Sequence, residues 1–208
     1  MSNDHWNGIY RTRPDHELGW YESTASTLDD VLDLLNGPHA SVIDVGAGTS
    51  RLVDGLLGAG YRDLTVLDIS AAALDATSAR LAAATSSEAT AALSVSLLEA
   101  DVTGFYPDRR WDLWHDRAVF HFLVDDAQRA GYVAGIDRAL DSNGHAIIAT
   151  FAESGPESCA GLAVRRYSEA TLAAEFDGVL ECIGSRTTTA GAINGDRRPY
   201  TVCRFSKT

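Results

Sequence analysis

The chain lacks the features that mark several large classes of protein. No uninterrupted apolar run approaches the roughly 20 residues that span a bilayer, so no membrane segment is expected. The N-terminus, MSNDHWNGIYRTRP, has no basic stretch followed by an apolar one, so no secretory signal is expected and the chain is read as cytoplasmic. Cysteines number three: Cys159, Cys182 and Cys203 stand far apart without CxxC spacing, which suggests neither a disulfide framework nor a zinc cluster. Positive charge is also scarce. Seventeen Lys and Arg face 29 Asp and Glu, and the formal net charge of −12 repels phosphate backbones and argues against nucleic acid as a partner. The pairs Arg109-Arg110, Arg165-Arg166 and Arg197-Arg198 read as solvated loop charges. No internal repeat, low-complexity tract or linker is visible, and 208 residues suit one domain with a full core.

The rest of the chain has the composition of a soluble globular protein, 45% apolar and 22% charged. After a polar, aromatic-bearing N-terminal segment, Leu28, Val31, Leu32, Leu34 and Leu35 recur at helical spacing, with Ser26 or Thr27 as a possible cap and Gly37-Pro38 as a stop. ASVIDVGAG then reads as a strand ending in glycines, SRLVDGLLGAG as a helix and LTVLDIS as a second strand. A helix over AAALDATSARLAAATSS, a strand over LSVSLLEADV and a strand over RWDLWHD follow. A helix over DDAQRAGYVAGIDRALDSNG and a strand over HAIIATF come next, then a helix over SEATLAAEF and two final strands, GVLECIGSR and RPYTVCRFS. Alternation at this spacing predicts an α/β fold with a mostly parallel sheet covered on both faces. Ligands of such sheets sit beyond the C-terminal strand ends, near the switch in strand order.

The strand ends carry the chemistry. VIDVGAGTSRL is a strand, a Gly-x-Gly turn and a helix start, where glycines allow φ > 0 and close approach of a ligand to free amides. The third glycine of the dinucleotide pattern is missing, since Arg51 stands three residues after Gly48, and the phosphate-loop pattern GxxxxGK[ST] is absent. Asp44 lies two residues before Gly46, where a pyrophosphate would gain nothing from negative charge and a cationic ligand would. Asp68 ends the second strand, placed to accept both hydroxyls of a ribose, and otherwise a helix cap. Asp101 closes the third, where a carboxylate can bind the exocyclic amine of an adenine, with Val102 adding amide and apolar contact; alone it would be a turn residue. A cationic end, a ribose and an adenine together describe S-adenosylmethionine better than NAD, FAD or ATP.

At this point the sequence resembles the class I S-adenosylmethionine-dependent methyltransferases. VIDVGAGTS is similar to their first motif, LTVLDIS to the second, LEADVTGF to the third and WDLWHDRAVFHFL to the fourth, over roughly residues 5 to 185. HWNGIYRTRPDHELGWYE, WHDRAVFHFL and FAESGPESCAGLAVRRYS further resemble a small, mostly bacterial branch related to the citrate synthase lysine methyltransferase. The resemblance implies a Rossmann-like, doubly wound, seven-stranded sheet with an antiparallel C-terminal strand, in one domain: a lid segment and helix over residues 1–37 and a core over 38–208. It places Asp44, Gly46 and Gly48 at the methionine end, Asp68 and Ile69 at the ribose, Asp101 and Val102 at the adenine, and His115 or Asp116 beside the sulfonium. Trp6, Tyr10, Trp20 and Tyr21 would form a lid, or else staple the segment to the core. One stretch departs from the branch: in TTTAGAINGDRRPY, Thr187, Thr189 and Asn194 stand where the branch carries His, Pro and Gln, so a relative's acceptor does not transfer.

Methyl transfer from a sulfonium needs alignment of nucleophile, methyl and sulfur, and a base only when the acceptor must first lose a proton. The candidates are His115, Asp116 and His121, with Arg117 available to bind an acceptor carboxylate or order the pocket. If a helix begins after Arg117, then Arg117 and His121 share a face. A metal at His115, Asp116 and His121 is disfavoured, because HDxxxxH fits no zinc pattern. At period two, Trp111 and Trp114 would face opposite sides of their strand. The expected activity is methyl transfer from S-adenosylmethionine, leaving S-adenosylhomocysteine, to an N or O nucleophile of a small molecule. A protein lysine, a non-catalytic S-adenosylmethionine-binding regulator and a nicotinamide oxidoreductase are the competing readings.

Overall fold

The structure, a computed structural model, describes residues 2–84, 95–191 and 197–208. Its strands are β1 (Val42–Val45), β2 (Leu64–Asp68), β3 (Val95–Glu99), β4 (Trp111–Arg117), β5 (Leu140–Phe151), a two-residue pair β6 (Ser158–Cys159) and β7 (Leu162–Ala163), β8 (Leu180–Gly191) and β9 (Arg197–Lys207). The helices are α1 (Asn3–Thr12), α2 (Leu28–Leu34), α3 (Leu52–Gly58), α4 (Ala71–Ala84), α5 (Asp126–Ala139) and α6 (Glu169–Ala174). Seven strands form one sheet in the order β3-β2-β1-β4-β5-β9-β8, parallel from β3 to β5, with β9 antiparallel to both neighbours. This is the mostly parallel α/β sheet that the alternating pattern predicted, with the Rossmann-like, doubly wound order and antiparallel C-terminal strand that the family resemblance implied. The order reverses at β1, which pairs with β2 on one side and β4 on the other, and that is where a crevice opens beyond the strand ends.

Local chemistry sets the element ends. β1 and β2 are buried along their whole length, as β-branched strands covered by helices on both faces must be. The Asp125 side chain accepts the Ala127 and Gln128 amides at the start of α5, and Ser168 and Thr171 form a reciprocal cap on α6. Two apolar clusters flank the sheet. One gathers Ile43, Trp114, Phe120, Tyr132, Phe176 and Phe205; the other Val42, Leu52, Leu56, Val66, Ile147 and Phe151, with the N-terminal Trp6.

Four local expectations change. The N-terminal segment is helical as α1, and its Asn7 carbonyl oxygen accepts from Ser70 Oγ at 2.8 Å and the Ala72 amide at 3.1 Å, tying α1 to the start of α4. The helix expected to run to Gly144 ends at Ala139, because Leu140 already pairs with Trp111 in the sheet. A register shift between Trp111 and Leu113 offsets the pleat, so Trp111 and Trp114 lie in the same cluster and both rings contact Phe105. Finally, the chain after Arg117 makes only a short 3₁₀ turn at Phe120–Phe122, entered through Ala118 at φ 70. Of the expected third strand and third helix, residues 93–94 and 85–87 lie outside the described residues, as does Asn194.

Candidate active site

The crevice at the switch point encloses about 1020 Å³ of empty space, its open mouth included. It collects the ends of four neighbouring strands. Asp44, Gly46 and Ala47 come from β1 and its loop, Asp68 and Ile69 from β2, Ala100, Asp101 and Val102 from beyond β3, and His115, Arg117, Ala118 and Val119 from the end of β4. Trp6, Tyr10, Trp20, Tyr21 and Glu22 close it from the N-terminal segment. Four acids and two arginines (Asp44, Asp68, Asp101 and Glu22; Arg51 and Arg117) line it, a balance that favours a cationic ligand.

The glycine turn is shaped by close packing. Gly46 and Gly48 both hold φ 55, and a side chain on Gly46 would collide with Val119, one on Gly48 with the Tyr10 hydroxyl. Gly48 is thus turned to Tyr10, and its amide donates to Asp68 Oδ2 at 2.7 Å. Asp68 Oδ1 accepts the Ser70 amide at 2.8 Å, fixing the carboxylate at the mouth of the turn. Burial raises the Asp68 carboxyl from the usual 3.8 to about 6, against the opposing pull of those two amides. A carboxylate oxygen can accept more than one hydrogen bond, so the group retains acceptor capacity, and Asp68 lines the cavity. Asp101 Oδ1 accepts from the Thr103 amide and hydroxyl, at 2.9 and 2.7 Å, so the expected turn role and the position on the cavity wall coexist.

The fourth motif divides into residues on the cavity and residues beneath it. His115 lines the cavity, but both ring nitrogens are engaged: Nδ1 lies 2.6 Å from Asp44 Oδ1 and Nε2 2.8 Å from Thr27 Oγ1. Arg117 also lines it. Its guanidinium donates to the Trp20 carbonyl, pairs with Glu22 at 2.9 Å and stacks over Tyr200 at 5.2 Å, clamping residues 20–22 to the end of β4. Asp116 lies below, fully buried. Its two oxygens accept the Val119 amide at 2.9 Å, the Phe120 amide at 3.0 Å and the Tyr132 hydroxyl at 2.7 Å, so it builds the turn that carries Ala118 and Val119. Burial raises this carboxyl to about 6. His121 is likewise buried among Phe122 and Phe151, and its Nδ1 accepts the Phe151 amide at 3.2 Å. Burial, reinforced by Arg117 and Arg198, lowers its pKa to about 3. The helix face once expected to join Arg117 and His121 does not form, and the two point to different surroundings.

The N-terminal aromatics pack on one another and on the cavity wall. Trp6 packs edge-on against Trp20 and Phe122, and Tyr10 against Trp20, while all four rings also line the cavity. Glu22, Arg51 and Cys159 on the wall went unnoticed in the sequence, where an isolated Glu, Arg or Cys carries no signal of its own. Of the two possible caps of α2, Ser26 or Thr27, it is Thr27 that precedes the helix, yet its side chain makes no cap bond and pairs with His115.

Comparison with known proteins agrees with this geometry. Residues 43–146, half of the chain, match the model for a methyltransferase domain, and the chain belongs to that family. The eEF1A lysine and N-terminal methyltransferase of Danio rerio is 30% identical over 155 residues, covering 73% of this chain and 21% of that protein. The chain therefore spans about a fifth of the length of the curated relatives it matches. A solved structure concerned with conversion of a disulfide bond into a thioacetal group during echinomycin biosynthesis is 20% identical, with a TM-score of 0.78 over 99% of this chain and 93% of that one. The Burkholderia thailandensis 1,6-didemethyltoxoflavin-N1-methyltransferase, solved with 1,6-didemethyltoxoflavin and S-adenosylhomocysteine, is 23% identical, with a TM-score of 0.68 over 88% of this chain and 77% of that one. The fold is that of the class I S-adenosylmethionine-dependent methyltransferases. Among the described residues no helix is long and apolar enough to cross a membrane.

Proposed function

We propose that this methyltransferase moves the methyl group of S-adenosylmethionine to an N or O nucleophile of a small molecule, leaving S-adenosylhomocysteine. The observation that carries this reading is the meeting of Asp44, Asp68 and Asp101 on one cavity wall at the switch point, in the order amine, ribose, adenine along the strand ends. The donor fits the residues present. Asp44 Oδ2 is buried without a hydrogen-bond partner, an acceptor suited to an ammonium, and Asp68 is held by two backbone amides with capacity for ribose hydroxyls. Ile69 and Val102 offer apolar contact to an adenine between Asp68 and Asp101.

When bound, S-adenosylmethionine supplies a methyl on sulfur that a nucleophile's lone pair displaces in line, the carbon–sulfur pair returning to sulfur. The protein's share is alignment and exclusion of water. Arg117 and Glu22, with Trp20 and Tyr21, are assigned to the acceptor side; Asp116 and His121 are assigned to the turn that shapes it. His121, with a pKa near 3, is neutral and enclosed, which argues against its serving as the base. Residues 1–37 are assigned the lid role, since α1 and the 20–22 stretch cover the cavity. That cover supports a small acceptor over a peptide. The acidic lining and the lysine-modifying relative favour a protein lysine as the second reading.

Calorimetry with S-adenosylhomocysteine tests the donor. Binding by the wild type, and its loss in Asp68→Ala, are expected; unchanged affinity in the variant removes the ribose assignment. Transfer of labelled methyl from S-adenosylmethionine into a cell extract, divided by ultrafiltration, tests the acceptor: label in the small-molecule fraction supports the proposal, and label confined to protein overturns it.

A further inference from the structure

We propose that His115 is a positioning residue: together with Thr27 it holds Asp44 so that one carboxylate oxygen faces the cavity for a ligand's ammonium group. The inference rests on the methyl-donor reading and deepens it.

Asp44 and His115 are direct partners across the β1–β4 pairing, at the point where the strand order reverses. Asp44 Oδ1 lies 2.6 Å from His115 Nδ1, and His115 Nε2 lies 2.8 Å from Thr27 Oγ1. A carboxylate only accepts, so Nδ1 carries the proton; a neutral ring then accepts at Nε2, and the Thr27 hydroxyl donates to it. Asp44 therefore sets the tautomer, and the Thr27 hydroxyl holds the ring against it from the other side. All three side chains are buried, at 1% exposure for Thr27, 1% for His115 and 4% for Asp44, which leaves them little room to reorient. With Oδ1 engaged, the carboxylate plane is set; Oδ2 is buried without a hydrogen-bond partner among the described residues, and because Asp44 lines the cavity this oxygen is the one assigned to the ligand. An acidic oxygen left unpaired at such a depth is costly unless a ligand completes it. Both His115 nitrogens are spent on this line, so the ring has no free site to take a proton from an acceptor.

Thr27 stands immediately before α2, in the segment that also carries Trp20, Tyr21 and Glu22. The same stretch of chain therefore lines the cavity and braces one of its buried acids. A structural role alone would weaken every ligand of the cavity alike, whereas a positioning role is specific to the amino-acid end.

The test is calorimetry on the full chain with two ligands, S-adenosylhomocysteine and 5′-methylthioadenosine, which shares the adenosine but has no amino acid. His115→Leu is expected to weaken S-adenosylhomocysteine about tenfold, as loss of a hydrogen bond to a charged group implies, and to leave 5′-methylthioadenosine within about twofold. His115→Asn, whose amide can donate in place of Nδ1, is expected to recover most of the loss. Thr27→Val is expected to cost about threefold for S-adenosylhomocysteine alone, with Thr27→Ser close to wild type; this mild pair carries the test if Leu at 115 prevents folding. Equal losses for both ligands, or an unchanged S-adenosylhomocysteine affinity in His115→Leu and Thr27→Val, overturn the positioning role and leave the donor assignment standing. A wild type that binds neither ligand overturns both.

Discussion

The Tyr10 hydroxyl fills the space that a side chain on Gly48 would need. The glycine turn and the N-terminal helix α1 are thereby fitted to each other, and Gly48, at φ 55, is required for conformation and contact at once. Gly48→Ala is expected to cost about 2 kcal/mol or more from the left-handed backbone and the displaced ring, lowering Tm by about 4–8 °C. In a Tyr10→Ala background the same change is expected to cost only the backbone share, about 1–2 kcal/mol. Thermal unfolding of the four proteins checks this, and additive costs would show that the two residues do not share the space.

Asp68 gives the site a pH dependence whose sign is set by burial. Its carboxyl, raised from 3.8 to about 6, is ionised at pH 7.5 and protonated below 6, where one oxygen carries the proton and loses acceptor capacity. S-adenosylhomocysteine affinity is therefore expected to fall as pH drops through about 6, by up to about tenfold per further pH unit. Asp68→Asn is expected to bind weakly throughout and to lack this step. Calorimetry between pH 5 and 8 checks it; a wild-type profile that stays flat would deny the ribose contact to the ionised form.

His121 is expected to move stability in the acid range. Its folded pKa, about 3, lies below the ordinary 6.5, so the unfolded chain binds the proton more tightly and stability falls as pH drops below 6.5. At pH 5 the difference amounts to about 2 kcal/mol. His121→Gln keeps an acceptor for the Phe151 amide and cannot titrate, so the wild type is expected to lose about 2 kcal/mol relative to this variant between pH 7.5 and 5. Urea unfolding at the two pH values measures it, and a gap that does not change with pH would place His121 outside the titration.

Asp116 carries the turn beyond β4 on two backbone amides and the Tyr132 hydroxyl, which in turn accepts from Trp114 Nε1 at 2.8 Å. Asp116→Asn leaves one acceptor oxygen where two are used and turns an amide toward donors; the expected cost is about 3 kcal/mol. Tyr132→Phe removes one donor and is expected to cost about 1 kcal/mol. Comparable costs, measured by denaturant midpoints, would show that the amides of Val119 and Phe120 do not depend on the carboxylate.

The sequence was most informative where a pattern had one physical solution. Alternating strands and helices with glycine stops left few topologies, and acids placed at successive strand ends could only gather at the switch point, where Asp44, Asp68 and Asp101 indeed line one cavity. It misled where long-range partners decide. Trp111 and Trp114 share a face through a register shift that no local alternation reveals. No helix joins Arg117 to His121: Ala118 takes a positive φ, and its amide donates to the Ala149 carbonyl at 2.8 Å.

The alternation of the core strands and helices, the glycine turn and the identity of the acids were legible in the sequence alone, because periodicity and the absence of a side chain act locally, whereas α1 and the β6–β7 pair were not. The tertiary structure decided the division of WDLWHDRAVFHFL into wall and foundation: His115 and Arg117 on the cavity, Asp116 and His121 beneath it. It also decided that Thr27, which reads as a helix cap, turns its hydroxyl 88 residues along the chain to His115. A hydroxyl or an imidazole takes its role from the partner that folding brings within 3 Å, and that partner is not written beside it.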